Sequence, residues 1–408
     1  MRTARSVVLF ALAVSACSSS TRDDDSYDPE QQRYSSVSSS SSSSGSGGSS
    51  LSGWSGAVSS SSSSTGGLSG EGSSGTSSSG GVAAPSTISL TGACDASTVV
   101  ELDDGALVIA DDEDQVLRFY APTQGTAPRA QVDVTHQLGL TDTSGGVFRE
   151  VDIEGSTRVG NRVYWLGSHG NSSTGSNRPN RRRLFVTEVS GSGANANAVV
   201  LGTPYEDLRD DLVDWDNNDG HGLGESALGF EDAIDQEPER DDGFNLEGLS
   251  MTPDGGAALL GMRAPVVDGM ALVITLNNLE PLLTGGGTAQ FGALYQLDLG
   301  GRGVRSMECA ANGCIIVAGP ADGAEDFRLY TWSGNASDAP VERNADLTGM
   351  HPEGIVAVPP GPFTETTRIR LISDDGDVLV AGTPCKELPG SAGKSFRLHE
   401  LALGAAVP

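Results

Sequence analysis

Positive charge is scarce in this chain. Its 408 residues include 25 Lys and Arg against 54 Asp and Glu, a formal net charge of −29. Lys386 and Lys394 are the only lysines. So acidic a chain is a poor partner for nucleic acid or an anionic lipid surface, and a good one for cations and cationic surfaces. Histidine is also sparse and scattered: His136, His169, His221, His351 and His399. No His-x-x-x-His pair marks a metal site, and no G-x-S-x-G elbow, P-loop or H-E-x-x-H is present. After the first seventeen residues no stretch is long and apolar enough to span a bilayer.

Those first residues, 1–17, read as an export signal. Arg2 and Arg5 precede a short apolar run, and Val14-Ser15-Ala16-Cys17 has the form of a bacterial lipobox. Cys17 is then the expected lipidation site, and Ser18 after it points to the outer membrane or cell surface. An ordinary signal peptide with a chance cysteine is the competing reading. Residues 18–86 are dominated by Ser and Gly. They have too little apolar surface to offset their ordering entropy, which is the composition of a disordered tether. The remaining residues, 87–408, are enough for one large domain.

There are five cysteines, and without Cys17 four remain, which allow three pairings. Cys309 and Cys314 flank an Asn-Gly turn, so a bond across that hairpin is the simplest choice. It leaves Cys94 for Cys385. A metal site is disfavoured because no C-x-x-C pair exists and the compartment is oxidising.

The periodicity is that of short strands separated by turns, an all-β pattern. Phe244 to Pro265 is its clearest unit: Asn245-Leu246-Glu247-Gly248, a strand, the turn Thr252-Pro253-Asp254-Gly255, and an apolar return strand. Pro presets φ, Asp bonds its own backbone, and Gly accepts positive φ. Related pairs flank Asp103-Asp104-Gly105, Gly160-Asn161, Asn312-Gly313 and Ser373-Asp374-Asp375-Gly376, with Val378-Leu379-Val380 expected as the return strand of the last. Asp152-Ile153-Glu154-Gly155 and His351-Pro352-Glu353-Gly354 repeat the Glu-Gly signature. Arg305-Ser306-Met307-Glu308 is a fourth, imperfect copy, and Ala96-Ser97 stands at the Glu position of the first unit. Radial repetition of such a unit predicts a β-propeller of five or six blades, with Cys94–Cys385 fastening the first blade to the last.

The segments A-D-D-E-D-Q-V-L-R, V-Y-W-L-G-S-H, R-P-N-R-R-R-L-F, N-L-E-G-L, P-D-G and G-M-R-A-P, spread over about Asp95 to Leu401, resemble the bacterial domain-of-unknown-function 3616 family. They are more distantly similar to phytase-like esterase propellers. The resemblance implies a propeller and an exported bacterial protein, and no established activity.

Four glutamates at matching points of a radial repeat should meet at one channel mouth: Glu154, Glu247, Glu308 and Glu353. Converging carboxylates need a cation, a proton or an arginine between them. Oxygen donors suit Ca²⁺ or another divalent cation, which could polarise an ester or phosphoester; His169 would then serve as acid–base group and Arg263 would stabilise the anion. The alternative is a structural ring held by Arg263 or Arg149, in a propeller that binds or scaffolds without catalysis. Protein partners are unspecified.

Two further features stand out. Arg178 to Arg183 form the only basic cluster, able to hold a phosphate or to pair with the acidic surplus. Residues 206–242 form an acidic insertion. Within it Asp214, Asp216, Asn218 and Glu225 occupy positions one, three, five and twelve of a calcium loop, although Asp219 replaces the Gly at position six. A solvated acidic loop is the competing reading, and Leu208, Leu212 and Val213 before it have helical spacing.

Overall fold

A computed structural model describes residues 85–408. The signal, Cys17 and nearly all of the tether lie outside the described residues. Within them five antiparallel four-stranded sheets form a five-bladed propeller. Blade 1 comprises Ala96–Glu101, Leu107–Asp111, Val116–Tyr120 and Ala130–Asp133; blade 2, Ile153–Val159, Arg162–Gly167, Leu184–Ser190 and Asn197–Tyr205. Blade 3 comprises Asn245–Met251, Ala258–Ala264, Ala271–Leu276 and Phe291–Leu297; blade 4, Gly303–Ala310, Gly313–Gly319, Arg328–Trp332 and Val341–Arg343. Blade 5 is built from both ends of the domain: Pro352–Ile355, Arg368–Ser373 and Ser395–Ala402, with Ser86–Thr91 added on the outside. Ser86 pairs with Glu400, so the domain begins one residue before the expected boundary. The first-named strand of each blade packs against its counterparts in the two neighbouring blades, and these inner strands close a ring.

Apolar side chains explain the closure. Five buried clusters lie one between each pair of adjacent blades. Blades covered on both faces need continuous apolar strands rather than alternating ones. Leu107–Asp111 and Gly313–Gly319 are buried along their whole length for this reason. The cluster between blades 2 and 3 is extended by the acidic insertion. Leu208, Leu212 and Val213 lie on helix α1 (Leu208–Asn217), and Phe230 begins helix α2 (Phe230–Ala233). Their spacing places apolar residues on one helical stripe facing Phe244, Leu246 and Leu260.

The turns follow their chemistry. Gly255 has φ 71°, its N–H donates to Thr252 O, and Asp254 Oδ1 accepts from the Gly256 N–H at 3.0 Å. One expected hairpin fails. Arg368–Ser373 pairs with Ser395–Ala402, whereas Leu379–Val380 forms a separate small ribbon with Thr383–Pro384. Asp375 explains the detour: it is buried against Arg397 at 2.8 Å, which belongs to the true return strand.

Both expected disulfides are present, Cys94–Cys385 and Cys309–Cys314. Cys94 lies between the outer strand of blade 5 and the inner strand of blade 1, and Cys385 lies in the excursion of blade 5. The long-range bond therefore locks the ring closure.

Candidate functional site

Every inner strand is irregular at its axial start. The pairing to the second strand skips a residue between Ala96 and Thr98, Ile153 and Gly155, Leu246 and Gly248, Val304 and Ser306, and Pro352 and Gly354. A bulge leaves one residue unpaired and re-aims its side chain. The five bulge residues are Ser97, Glu154, Glu247, Arg305 and Glu353. The Gly after each Glu is there for close packing rather than for a turn. A Cβ on Gly248 would stand 2.9 Å from Gly261 Cα, and one on Gly155 would stand 3.0 Å from Glu247 O.

Arg305 thus occupies the place where sequence reasoning put a fourth glutamate. Its Nε lies 3.0 Å from Glu247 Oε2, and it also donates to Glu353 Oε1. Arg263 Nη1 completes the pairing of Glu247 at 3.0 Å. Burial works against the charge of Arg305, but Glu247, Glu353 and Glu154 hold it firmly protonated. Burial raises Glu247 above the usual carboxylate range, and Arg305 and Arg263 counter the rise. Glu247 and Glu353 are therefore engaged by arginine, as expected of a structural ring.

Glu154 differs. It has no hydrogen bond or ion pair among the described residues, and burial and Glu247 push it well above its ordinary range. It faces a group of carboxylates on the same end of the propeller. Oxygens of Asp112, Asp152 and Glu154 lie within 4.8 Å of one another, as do oxygens of Asp95, Asp112 and Glu113. Asp112 belongs to both groups. Asp95 is 3% exposed, and its Oδ2 has no partner; neither has the buried Oδ1 of Asp112. Burial and the charge of Asp111 push Asp95 up to about 9; burial and Asp95 raise Asp112. Burial pushes Asp111 and Asp374 up to about 7. Asp152 is raised less freely, because Arg181 Nη1 sits 2.9 Å from it.

The fold assembles this group by repetition. Asp95, Asp152 and His351 each stand two residues before a bulge residue. Their carbonyls accept the N–H of Asp112, Ser168 and Asp374, which follow the paired second strands. Two positions per blade thus face the same mouth, and four of those six are acidic. Ca²⁺ binds oxygens at roughly 2.3–2.6 Å, so ligands on opposite sides of an ion lie about 4.6–5.2 Å apart. The 4.8 Å limit within each carboxylate group falls inside that span.

Other expected site residues go elsewhere. Glu308 lies three residues past the bulge, paired with Ile315, and faces a cavity at the opposite mouth. The offset arises because the Glu-Gly signature marks the bulge, and in blade 4 the bulge is Arg305. His169 is fully buried with φ 58°, its Nδ1 2.8 Å from Gly167 O and its Nε2 unpartnered. Burial pushes its pKa down to about 4, so it stays neutral, sealed from solvent. Arg263 is spent on Glu247 and the Ala321 carbonyl.

The calcium loop does not form. Asp214 and Asp216 are inside helix α1 and Asn218 caps its end. Asp216 accepts the N–H groups of Leu228 and Phe230, and His221 Nε2 lies 2.9 Å from it. Helical backbone at Asp214 and Asp216 replaces the turn a calcium loop needs there, and Glu225 is left exposed. The basic cluster is likewise internal. Arg181 pairs with Glu150 and Asp152, and Arg183 donates to the carbonyls of Leu138 and Gly139.

Asp95, Asp112, Glu113 and Asp152 are the site residues sequence reasoning missed. The signal was available: acidic residues at the tip of a second strand and two places before the Glu position of the neighbouring inner strands.

No curated protein matches the chain. Among solved structures it is similar to the PQQ-bound form of aldose sugar dehydrogenase from Streptomyces coelicolor, at 14% identity over 78% of this chain and 98% of that one, with a TM-score of 0.35. It is similar to a putative oxidoreductase (glucose dehydrogenase) from Thermus thermophilus, at 12% identity over 78% of this chain and 100% of that one, with a TM-score of 0.39. A third match is the β-propeller domain of Myceliophteria thermophila Cps50, at 9% identity over 77% of this chain and 98% of that one, with a TM-score of 0.31. At the level of family, residues 205–364 match the one described as Protein of unknown function (DUF3616).

Proposed function

We propose that the protein is a divalent-cation-binding β-propeller that uses the ion to take an ester or phosphoester at the mouth lined by Asp112, Asp152 and Glu154. One observation carries the reading: these carboxylates converge within 4.8 Å, and no arginine forms an ion pair with Asp112 or Glu154 among the described residues. An all-oxygen donor set suits Ca²⁺ or Mg²⁺. An ion held by a few carboxylates keeps positions for water and for a substrate oxygen, which it would polarise. The reaction class rests on the resemblance to phytase-like esterase propellers. Lipidation at Cys17, and with it a membrane anchor and an outer-membrane or cell-surface location, belongs to the same proposal.

The sealed, neutral His169 favours a second reading, in which the ion bridges the propeller to an anionic ligand without chemistry. One experiment separates the two. The chelator-stripped domain is titrated with Ca²⁺ and Mg²⁺ by calorimetry, then assayed with p-nitrophenyl acetate and p-nitrophenyl phosphate. Cation binding lost in Asp112→Asn, together with cation-dependent turnover, supports the esterase. Binding without turnover selects the scaffold. No cation binding by the native protein sinks both.

A further inference from the structure

The opposite mouth of the propeller holds a separate cavity. Between the two ends the axis is pinched by Thr98, Ser156, Leu249 and Ser306, leaving no water-sized space. Thr98 Oγ1 and Ser156 Oγ are 2.7 Å apart across the constriction. Beyond it a cavity of about 530 Å³ opens, bounded by the far ends of inner strands from blades 1, 2, 4 and 5. Val99, Leu102, Val356 and Ala357 supply apolar wall, and Arg158 and Glu308 supply charge.

The charges there are unequally matched. Arg158 pairs with Asp103 at 2.7 Å and donates to the Glu101 carbonyl at 3.0 Å. Arg370 pairs with Glu101 at 2.7 Å. Glu308 alone has no hydrogen bond or ion pair among the described residues. Glu308 is partly exposed to the cavity, and a partly desolvated carboxylate without a partner is stabilised by a cation that enters beside it. A metal ion fits poorly, because one unpaired carboxylate offers too few oxygens for Ca²⁺. The lining is polar overall, and the apolar carbon that Val99, Leu102, Val356 and Ala357 add to it suits a short alkyl group. The surrounding field, set by a chain of net charge −29, draws cations and repels anions.

We infer that this cavity is a binding site for a small organic cation, an alkylammonium whose nitrogen pairs with Glu308 and whose chain lies on Val99, Leu102 and Val356. It is distinct from the acidic mouth and independent of any metal there. Glu308 is pushed up to about 8 by burial, so near neutrality it must give up a proton as the cation binds. The other charged groups toward it are Glu101 and Asp103 from blade 1, Arg158 from blade 2, Arg370 from blade 5 through Glu101, and Glu247 from blade 3 beyond the constriction. Four of these are paired with arginine or are themselves the arginine partners, and Glu247 is held by Arg263 and Arg305, which leaves Glu308 to titrate.

The test is calorimetric titration of the purified domain with butylammonium, and with 1-butanol and butyrate as neutral and anionic analogues. Butylammonium should bind at least about tenfold more tightly than either analogue. Its affinity should rise about tenfold from pH 6 to pH 7, with proton release seen as a buffer-dependent heat. Glu308→Gln, which keeps the shape of the side chain, should lose the affinity and its pH dependence while melting at or above the native temperature at pH 8. Asp112→Asn should bind butylammonium normally. Equal binding of 1-butanol, unchanged binding by Glu308→Gln, or loss of binding in Asp112→Asn would each overturn the inference.

Discussion

Arg305 and Glu247 hold the same position in neighbouring blades and carry opposite charge, with Arg305 Nε 3.0 Å from Glu247 Oε2. A repeat that placed glutamate at every bulge would repel itself at the axis. Replacing one of the set by arginine turns the repulsion into two ion pairs, to Glu247 and to Glu353.

Removing that arginine should leave buried Glu353 unpaired and Glu247 with Arg263 alone. Arg305→Gln is expected to cost about 3–5 kcal/mol, the usual penalty for leaving a buried charge unpaired. The double variant Arg305→Gln with Glu353→Gln should recover part of the loss. Equilibrium denaturation checks both, and a loss under ~1 kcal/mol would remove Arg305 from this role.

Stability should depend on pH with a definite sign. Burial raises Asp111 and Asp374 to about 7 and Asp95 to about 9, from an ordinary 3.8. The folded form therefore binds more protons than the unfolded one from about pH 4 upward, and stability present at low pH is lost as pH rises from there through 7, with Asp95 extending the loss to about 9. In chelator the melting temperature should fall over this window. With Ca²⁺ in excess the fall should shrink, because binding linkage adds about 2.7 kcal/mol at a hundredfold excess over Kd. A chelated protein that gains stability from pH 6 to 9 would contradict the assignment.

Losing the two disulfides should have unequal effects. Cys94–Cys385 spans 291 residues and Cys309–Cys314 spans five. The chain-entropy relation gives about 5–6 kcal/mol for the first and about 2 kcal/mol for the second. Paired Cys→Ser variants measured by denaturation should keep that order.

The glycine after the bulge should resist enlargement. Gly248→Ala puts a Cβ 2.9 Å from the Gly261 backbone and 3.0 Å from Val304 Cγ1, so a cost of about 1–3 kcal/mol is expected. Gly105→Ala meets no atom within 4 Å, but its φ of 78° should still make it unfavourable. Equal melting of Gly248→Ala and the native protein would show that the inner strands are free to shift.

The propeller was legible because its turns are local. Pro253-Asp254-Gly255 and Asn312-Gly313 declare their hairpins within four residues, and Glu154, Glu247 and Glu353 sit in a visible frame. Arg305 was not legible there, because Glu308 three residues later supplied a closer match to the motif than the residue at the bulge. The register of a bulge is fixed by the partner strand, which short-range spacing does not contain. Asp216 misled in a similar way: its calcium-loop spacing coincided with the C-terminal turn of α1 and the capping of Leu228 and Phe230. Asp112 and Asp152 come from different blades and meet only because the ring closes. Their juxtaposition is a product of topology.

Ser86–Thr91, the outer strand of blade 5, also decides how the domain meets mechanical force. Tension arriving along the chain before Ser86 acts first on this edge strand, whose ladder is with Ser395–Ala402 and whose last residue, Thr91, also donates its N–H to Thr126 O. Peeling can advance from Ser86 through Thr91, and then it reaches Cys94. There the bond to Cys385 carries the pull into the body of blade 5, so the ring stays shut after its outermost strand has been stripped. The disulfide acts as a stop on an unzipping seam.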